Sequence, residues 1–174
     1  MKIILGVDPG SRTTGIGVVA SDGVRSTLIA NEGIATGNGD FPDRLRVIFT
    51  RMVALIREFK PDEAAIERVF LARNADSALK LGQARGAAIC ALVSEGLMVH
   101  EYTAKQVKQA VVGKGAAEKS QVQHMIGVLL GAPGPFQADA ADALAVAICH
   151  AHSSRLNAIV GASKLPSSWR DYKP

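Results

Sequence analysis

Residues 1–20 read MKIILGVDPGSRTTGIGVVA, and the acid in the middle of this stretch sets the terms for the fold. Two apolar runs, 3–7 and 15–20, flank the turn-forming DPGSRT, and a third run over 28–34 follows Ser21-Asp22-Gly23. Runs of this length bounded by Gly, Pro and Asp read as strands, and the short connections predict an antiparallel meander. Asp8 ends a run that should be buried, where an unpaired charge is costly. Asp also commonly opens turns, so Asp8 by itself is equally readable as structural or functional.

Outward from that meander, Leu45, Ile48, Phe49, Met52, Leu55, Ile56 and Phe59 recur at helical spacing over 43–59, with one buried stripe, and Pro61-Asp62 stops the helix. Residues 64–67, AAIE, form a short apolar strand that again ends in an acid, Glu67. A long helix over 74–95 carries Ala78, Leu81, Arg85, Ala88 and Leu92 on one side, and Gly82 and Gly86 would let another backbone approach. Residues 98–102 read as a fifth strand. Thr103 with Gln106 matches a capping box that opens a helix to 112. After the Gly113-Lys114-Gly115 break, helices over 118–130 and 138–151 are separated by GAPGP. The order βββ-α-β-α-β-α-α-α predicts an α/β domain over 1–152, built on a five-stranded mixed sheet flanked by helices, and a loosely ordered basic tail over 153–174.

The chain's 174 residues suit one domain with a hydrophobic core. Its 48% hydrophobic and 21% charged residues exclude a disordered chain, and no apolar run approaches the roughly 20 residues of a membrane span. The N-terminus lacks a cleavage-site pattern, which makes the cytoplasm the expected location. Cys90 and Cys149 lie in apolar, helix-like stretches without metal-ligand spacing and read as reduced core residues. The net charge of +4 is unevenly placed. Lys105, Lys108, Lys114 and Lys119 face only Glu118 between 103 and 120, and Arg155, Lys164, Arg170 and Lys173 face only Asp171 after 151. Such clusters suit a phosphate-rich partner, and they equally suit solvated lysines on a helix face.

Two acids at strand ends of one sheet can converge at a shared edge. Asp139 and Asp142, three apart at the start of a helix whose buried stripe is Ala141, Leu144, Ala145 and Ile148, project from one face. Acids in a first turn also suit the helix dipole, which accounts for either residue alone but not for the strand-end acids. Four carboxylates together would repel and raise one another's pKa unless cations neutralised them. An all-oxygen donor set selects Mg²⁺ or Mn²⁺ over zinc. Two such ions about 4 Å apart can activate water and stabilise a leaving oxygen in phosphodiester cleavage. His124, His150 and His152 lack zinc-type spacing and read as structural.

A strand-one acid, a strand-four acid and late-helix acids are the arrangement of the ribonuclease H-like fold. The segments GVDPGSRTTGIGVV, AIERVFLARNADSALKLGQARGAA, KQVKQAVVGKGAAEKSQVQHM and QADAADALAVAICHAH, in this order over nearly all of 1–152, resemble the RuvC family of Holliday-junction resolvases. The resemblance implies an endonuclease of DNA recombination and repair that cuts four-way junctions by paired symmetric nicks. Its implied catalytic acids are Asp8, Glu67, Asp139 and Asp142, holding two Mg²⁺ with Mn²⁺ as a substitute. Lys108 and Lys119 are implied as catalytic cations, since an ammonium can stabilise charge developing on phosphate. Phe70 is similar to the family's base-contacting aromatic, although core packing is the ordinary role of a Phe. Arg73 and Arg85 would meet phosphates, as would Lys105 and Lys114 within the basic cluster. A homodimer, a thymine-containing cleavage site and the branch-migration partners RuvA and RuvB are implied too. The tail after 152 lies outside the resemblance.

Two rival readings remain at this level. Asp8 to Gly17 also fits the first phosphate loop of actin–hexokinase-type ATPases and kinases, which however need a second related domain and a second loop. A ribonuclease H-like enzyme acting on RNA, or a binding module without catalysis, is the other. Tight ATP binding would favour the first rival, and cutting of structured RNA or no cutting the second.

Overall fold

The computed structural model describes residues 1–69, 74–132 and 134–160. The strands are β1 (Lys2–Asp8), β2 (Thr13–Ser21), β3 (Ser26–Ala35), β4 (Glu63–Arg68) and β5 (Val99–Thr103). They form one sheet in the order β3-β2-β1-β4-β5, with β1–β2 and β2–β3 antiparallel and β1–β4 and β4–β5 parallel. The expected mixed sheet and the ribonuclease H-like α/β arrangement are what the structure has. The helices are α1 (Phe41–Phe59), α2 (Ala75–Ser94), α3 (Ala104–Val112), α4 (Lys119–Leu130) and α5 (Ala138–Val160).

Side chains alternate across a strand, so the sheet buries two separate cores. Leu5, Val7, Ile16, Val18 and Ile66 face Ile48, Met52 and Leu55 of α1 and Ala84, Ala88 and Leu92 of α2. Ile4, Val19 and Ala65 face α3, α4 and α5 on the other side. This is why β1 reads as an unbroken apolar run: both of its faces are covered. α5 is buried on nearly every side from Ala140 to Ala151, wider than the single stripe its spacing predicts, because sheet and helices enclose it together.

Three expectations need correction. Phe49 is 37% exposed, since only Ile48, Met52, Leu55 and Ile56 of α1 are buried. Cys90 is exposed on the outer face of α2, which packs through Ala84, Ala88, Ala91 and Leu92 instead; Cys149 alone is buried. Among the described residues nothing lies within 4 Å of a Cβ built on Gly82 or Gly86, so the close approach they allow is open to a backbone from another chain. Also, α5 runs to Val160 rather than ending near 151. Ser153 Oγ donates to the Cys149 carbonyl at 2.8 Å, and back-bonding of this kind absorbs a hydroxyl that otherwise signals a loop.

A polar pin holds the middle of α5. His150, 1% exposed, is bonded through Nδ1 to the Tyr102 hydroxyl and through Nε2 to Glu63, both at 2.8 Å. Burial lowers the His150 pKa despite Glu63 and pushes Tyr102 up to about 12, so a neutral ring accepts from Tyr102 and donates to Glu63. The structural reading of His150 is thus accounted for.

Candidate active site

The carboxyl ends of β1 and β4 lie side by side, with Val7 opposite Ile66 in the last registered pair. Val7 and Ile66 point to the α1–α2 core. The next residues, Asp8 and Glu67, therefore point to the opposite face, where α5 lies. Two acids seen separately in sequence become neighbours because parallel strands end at the same level.

Asp139 and Asp142 arrive by a different device. Gly15 is registered opposite Asp8, and a Cβ built on it would stand 1.9 Å from the carbonyl oxygen of Asp139. Gly17 meets Leu144 N at 2.6 Å, and Gly6 meets Ala143 O at 2.2 Å, in the same construction. The three glycines form a side-chain-free ledge on which α5 lies directly against the sheet. That contact brings the first turn of α5 down to Asp8. Gly33, opposite Gly15 on β3, extends the ledge under the Gln137 side chain.

The loop after Asp8 is braced from two sides. Thr14 Oγ1 donates to Gly10 O at 3.0 Å. Arg44 of α1 donates to Ser11 O and, through Nε, to Thr36 Oγ1 at 3.0 Å.

The electrostatics show that the four acids share one field. Burial, then Glu67, Asp142 and Asp139, push Asp8 up to about 7, and only Lys119 opposes them. Burial and Asp142 raise Glu67, opposed by Lys108 and Lys119. Lys119 Nζ donates to Asp142 Oδ2 at 2.6 Å, and this bond raises the lysine's own pKa. The structure therefore brings Asp8, Glu67, Asp139, Asp142, Lys108 and Lys119 into one site.

The other sequence-derived candidates fall in three places. Lys105 on α3 and Lys114 in the α3–α4 connection are exposed. Arg85 is paired with Glu101 and turned toward the backbone of Glu67. Phe70 and Arg73 lie outside the described residues. The ledge glycines and Glu101 were missed by sequence reasoning. The glycine spacing at 15, 17 and 33 on strands was the available signal, since Gly inside a strand marks close approach.

Among the described residues no three acids stand as a ready-made ligand set. The donor chemistry nevertheless fits a hard divalent cation. All donors are carboxylate oxygens, and a single ammonium contact leaves the cluster short of positive charge.

Comparison with known proteins agrees with this architecture. The family model described as crossover junction endodeoxyribonuclease RuvC matches residues 4–150. A protein of that name from Citrifermentans bemidjiense is 60% identical over 158 residues, 90% of this chain and 96% of the relative. One from Methylococcus capsulatus is 58% identical over 152 residues, covering 87% and 92% respectively. The solved structure of Thermus thermophilus RuvC with a Holliday junction substrate superposes with a TM-score of 0.85 at 34% identity, covering 90% of this chain and 97% of that one. The yeast mitochondrial resolvase Ydc2 shares the fold alone, with a TM-score of 0.63 at 13% identity over 86% of this chain and 77% of that one. With its acids on β1, β4 and α5 and a family match across nearly all of the domain, the chain belongs to the RuvC family of crossover junction endodeoxyribonucleases.

Proposed function

We propose that this chain is a magnesium-dependent endonuclease that resolves four-way DNA junctions by paired, symmetric nicks, in recombination and repair. The observation that carries the chemistry is Asp8, whose carboxyl is pushed up to about 7 by burial and by the three other acids. A cluster that disfavours its own charge to that degree is built for a cation. Asp8, Glu67, Asp139 and Asp142 are the residues to hold two Mg²⁺, or Mn²⁺ in their place. Bound there, the metal supplies a more acidic water and neutralises charge on the scissile phosphate.

The chain's own side chains do the rest. Asp8 must release its proton for the site to load, so loading is linked to pH. Lys119, kept protonated by Asp142, is an ammonium beside the acids that can pass to a phosphate oxygen as charge develops. Lys108 acts on Glu67 from α3 in the same sense. Lys105 and Lys114 are proposed as further contacts to the DNA backbone, and Phe70 and Arg73, which follow Glu67 in the sequence, as junction contacts.

A four-way junction has approximate two-fold symmetry, which favours a homodimer with two equal sites. The outer face of α2 suits a second copy. Leu79 and Val93 are 63% and 59% exposed there, and Gly82, Gly86 and Cys90 lie between them at helical spacing with no charged residue. Family membership supports RuvA and RuvB as partners and the cytoplasm as the place of action; among the described residues no helix is long and apolar enough to cross a membrane.

The test compares a mobile four-way junction, linear duplex and structured RNA, each with Mg²⁺ or EDTA, and maps the nicks. Junction-selective, Mg²⁺-dependent, symmetric nicks are expected, lost in Asp142→Asn while junction binding persists. Equal cutting of linear duplex, or activity surviving EDTA, would sink the reading.

A further inference from the structure

Arg85 stands in the middle of α2, and its guanidinium is turned toward the carboxyl ends of β4 and β5. Its Nε donates to the backbone carbonyl of Glu67 at 3.3 Å, and its Nη2 is ion-paired with Glu101. The other oxygen of Glu101 accepts from Arg68 Nε at 3.2 Å. Arg68 directly follows Glu67 in the chain, and Glu101 is registered opposite Ile66 on β4. Glu101 thus holds one arginine that grips the Glu67 carbonyl and another that anchors the next residue.

This matters because of where Glu67 sits. The β1–β4 ladder ends at Val7–Ile66, one residue short of it, while β5 still pairs with Glu67 through Tyr102, so the sheet holds this backbone along one edge alone. A metal-holding carboxylate whose backbone is paired along one edge alone gains from a second brace, since such sites need their geometry held within about 0.5 Å. The charges that bear on the Glu67 carboxylate are those of Asp142, Lys108 and Lys119. Arg85 reaches Glu67 through the backbone, its own charge matched by Glu101.

We infer that Arg85 and Glu101 are a positioning pair that fixes Glu67 for metal binding, and that Arg85 is not a phosphate contact. The inference rests on the reading of Glu67 as a metal-holding acid. The two roles make opposite demands on Glu101. If Arg85 were held for DNA, freeing it from its acid would strengthen binding. If it positions Glu67, losing either partner has one outcome.

The experiment uses the full chain with Arg85→Gln, Arg85→Lys and Glu101→Gln. Three measurements are made: Mn²⁺ affinity by calorimetry without DNA, junction affinity by anisotropy in Ca²⁺, and single-turnover cleavage across a Mn²⁺ series. Arg85→Gln and Glu101→Gln are each expected to weaken Mn²⁺ binding and raise the Mn²⁺ needed for half-maximal cleavage about tenfold, with junction affinity within twofold of the parent. Arg85→Lys, which keeps a charge for Glu101, is expected to recover part of the loss. The inference is overturned if Arg85→Gln weakens junction binding tenfold with Mn²⁺ affinity intact, or if Glu101→Gln tightens junction binding. It is overturned equally if both variants match the parent throughout. Should Arg85→Gln fail to fold, the near-isosteric Glu101→Gln decides. A parent that neither binds Mn²⁺ nor cuts the junction refutes the proposed function itself, which separates the two failures.

Discussion

At Asp8 the chain keeps a carboxyl whose pKa has risen from 3.8 to about 7, chiefly through burial and then through Glu67, Asp142 and Asp139. In the metal-free protein the folded state therefore holds a proton that the unfolded state gives up. A raised folded-state pKa means that the contribution of Asp8 to stability is fully present below about pH 4 and declines as the pH climbs to about 7, then levels off. Asp8→Asn removes this dependence. Calorimetry in EDTA should show the variant and parent melting alike near pH 4, with the variant increasingly the more stable up to pH 8. Added Mg²⁺ or Mn²⁺ should close the gap by stabilising the parent alone. A gap that stays constant with pH would place the Asp8 effect outside this carboxyl's titration.

Among the elements, α5 does the most to assemble the site, and it does so by lying on bare backbone. At Gly15 a methyl group would stand 1.9 Å from the Asp139 carbonyl, and neither partner is a flexible side chain. Gly15→Ala must lift the first turn of α5 away from Asp8, at a cost of about 1–3 kcal/mol or more for overpacking. The His150–Glu63–Tyr102 pin near the middle of the helix is expected to keep α5 folded while its N-terminus shifts. Circular dichroism should show a retained fold, and calorimetry a large loss of Mn²⁺ affinity. Gly33→Ala meets only the Gln137 side chain, which can rotate away, and should be mild. Unchanged metal binding in Gly15→Ala would show that the ledge does not set the acids' positions.

For the whole molecule, the outer face of α2 offers the clearest test of a two-site enzyme. Cys90 is exposed there and Cys149 is buried, with its thiol pushed up to about 11, so maleimide labelling reports on that face alone. Labelling should be slow at concentrations where sedimentation shows a dimer and fast on dilution. Leu79→Glu combined with Val93→Glu should give a monomer that nicks junctions on one strand without the paired second cut. A dimer that survives both changes, with Cys90 freely reactive, would put the interface elsewhere.

The sequence by itself determined the element order and the mixed sheet and singled out the four acids as candidates, because strand period, capping residues and charges beside apolar runs are local signals. Asp8 and Glu67 stood out for one physical reason: each ends a stretch that has to be buried. The capping box at Thr103 and Gln106 was equally legible and is present with both of its bonds. Tertiary structure decided how the acids meet, since the parallel alignment of β1 with β4 and the glycine ledge under α5 are relations between segments far apart in the chain. The same holds for Arg85, whose spacing placed it on a packed helix side but could not show that Glu101, from a strand sixteen residues on, would claim its charge. Exposure of Phe49 and Cys90 was decided there too, because helical spacing gives the direction of a side chain and only the neighbouring elements determine what covers it.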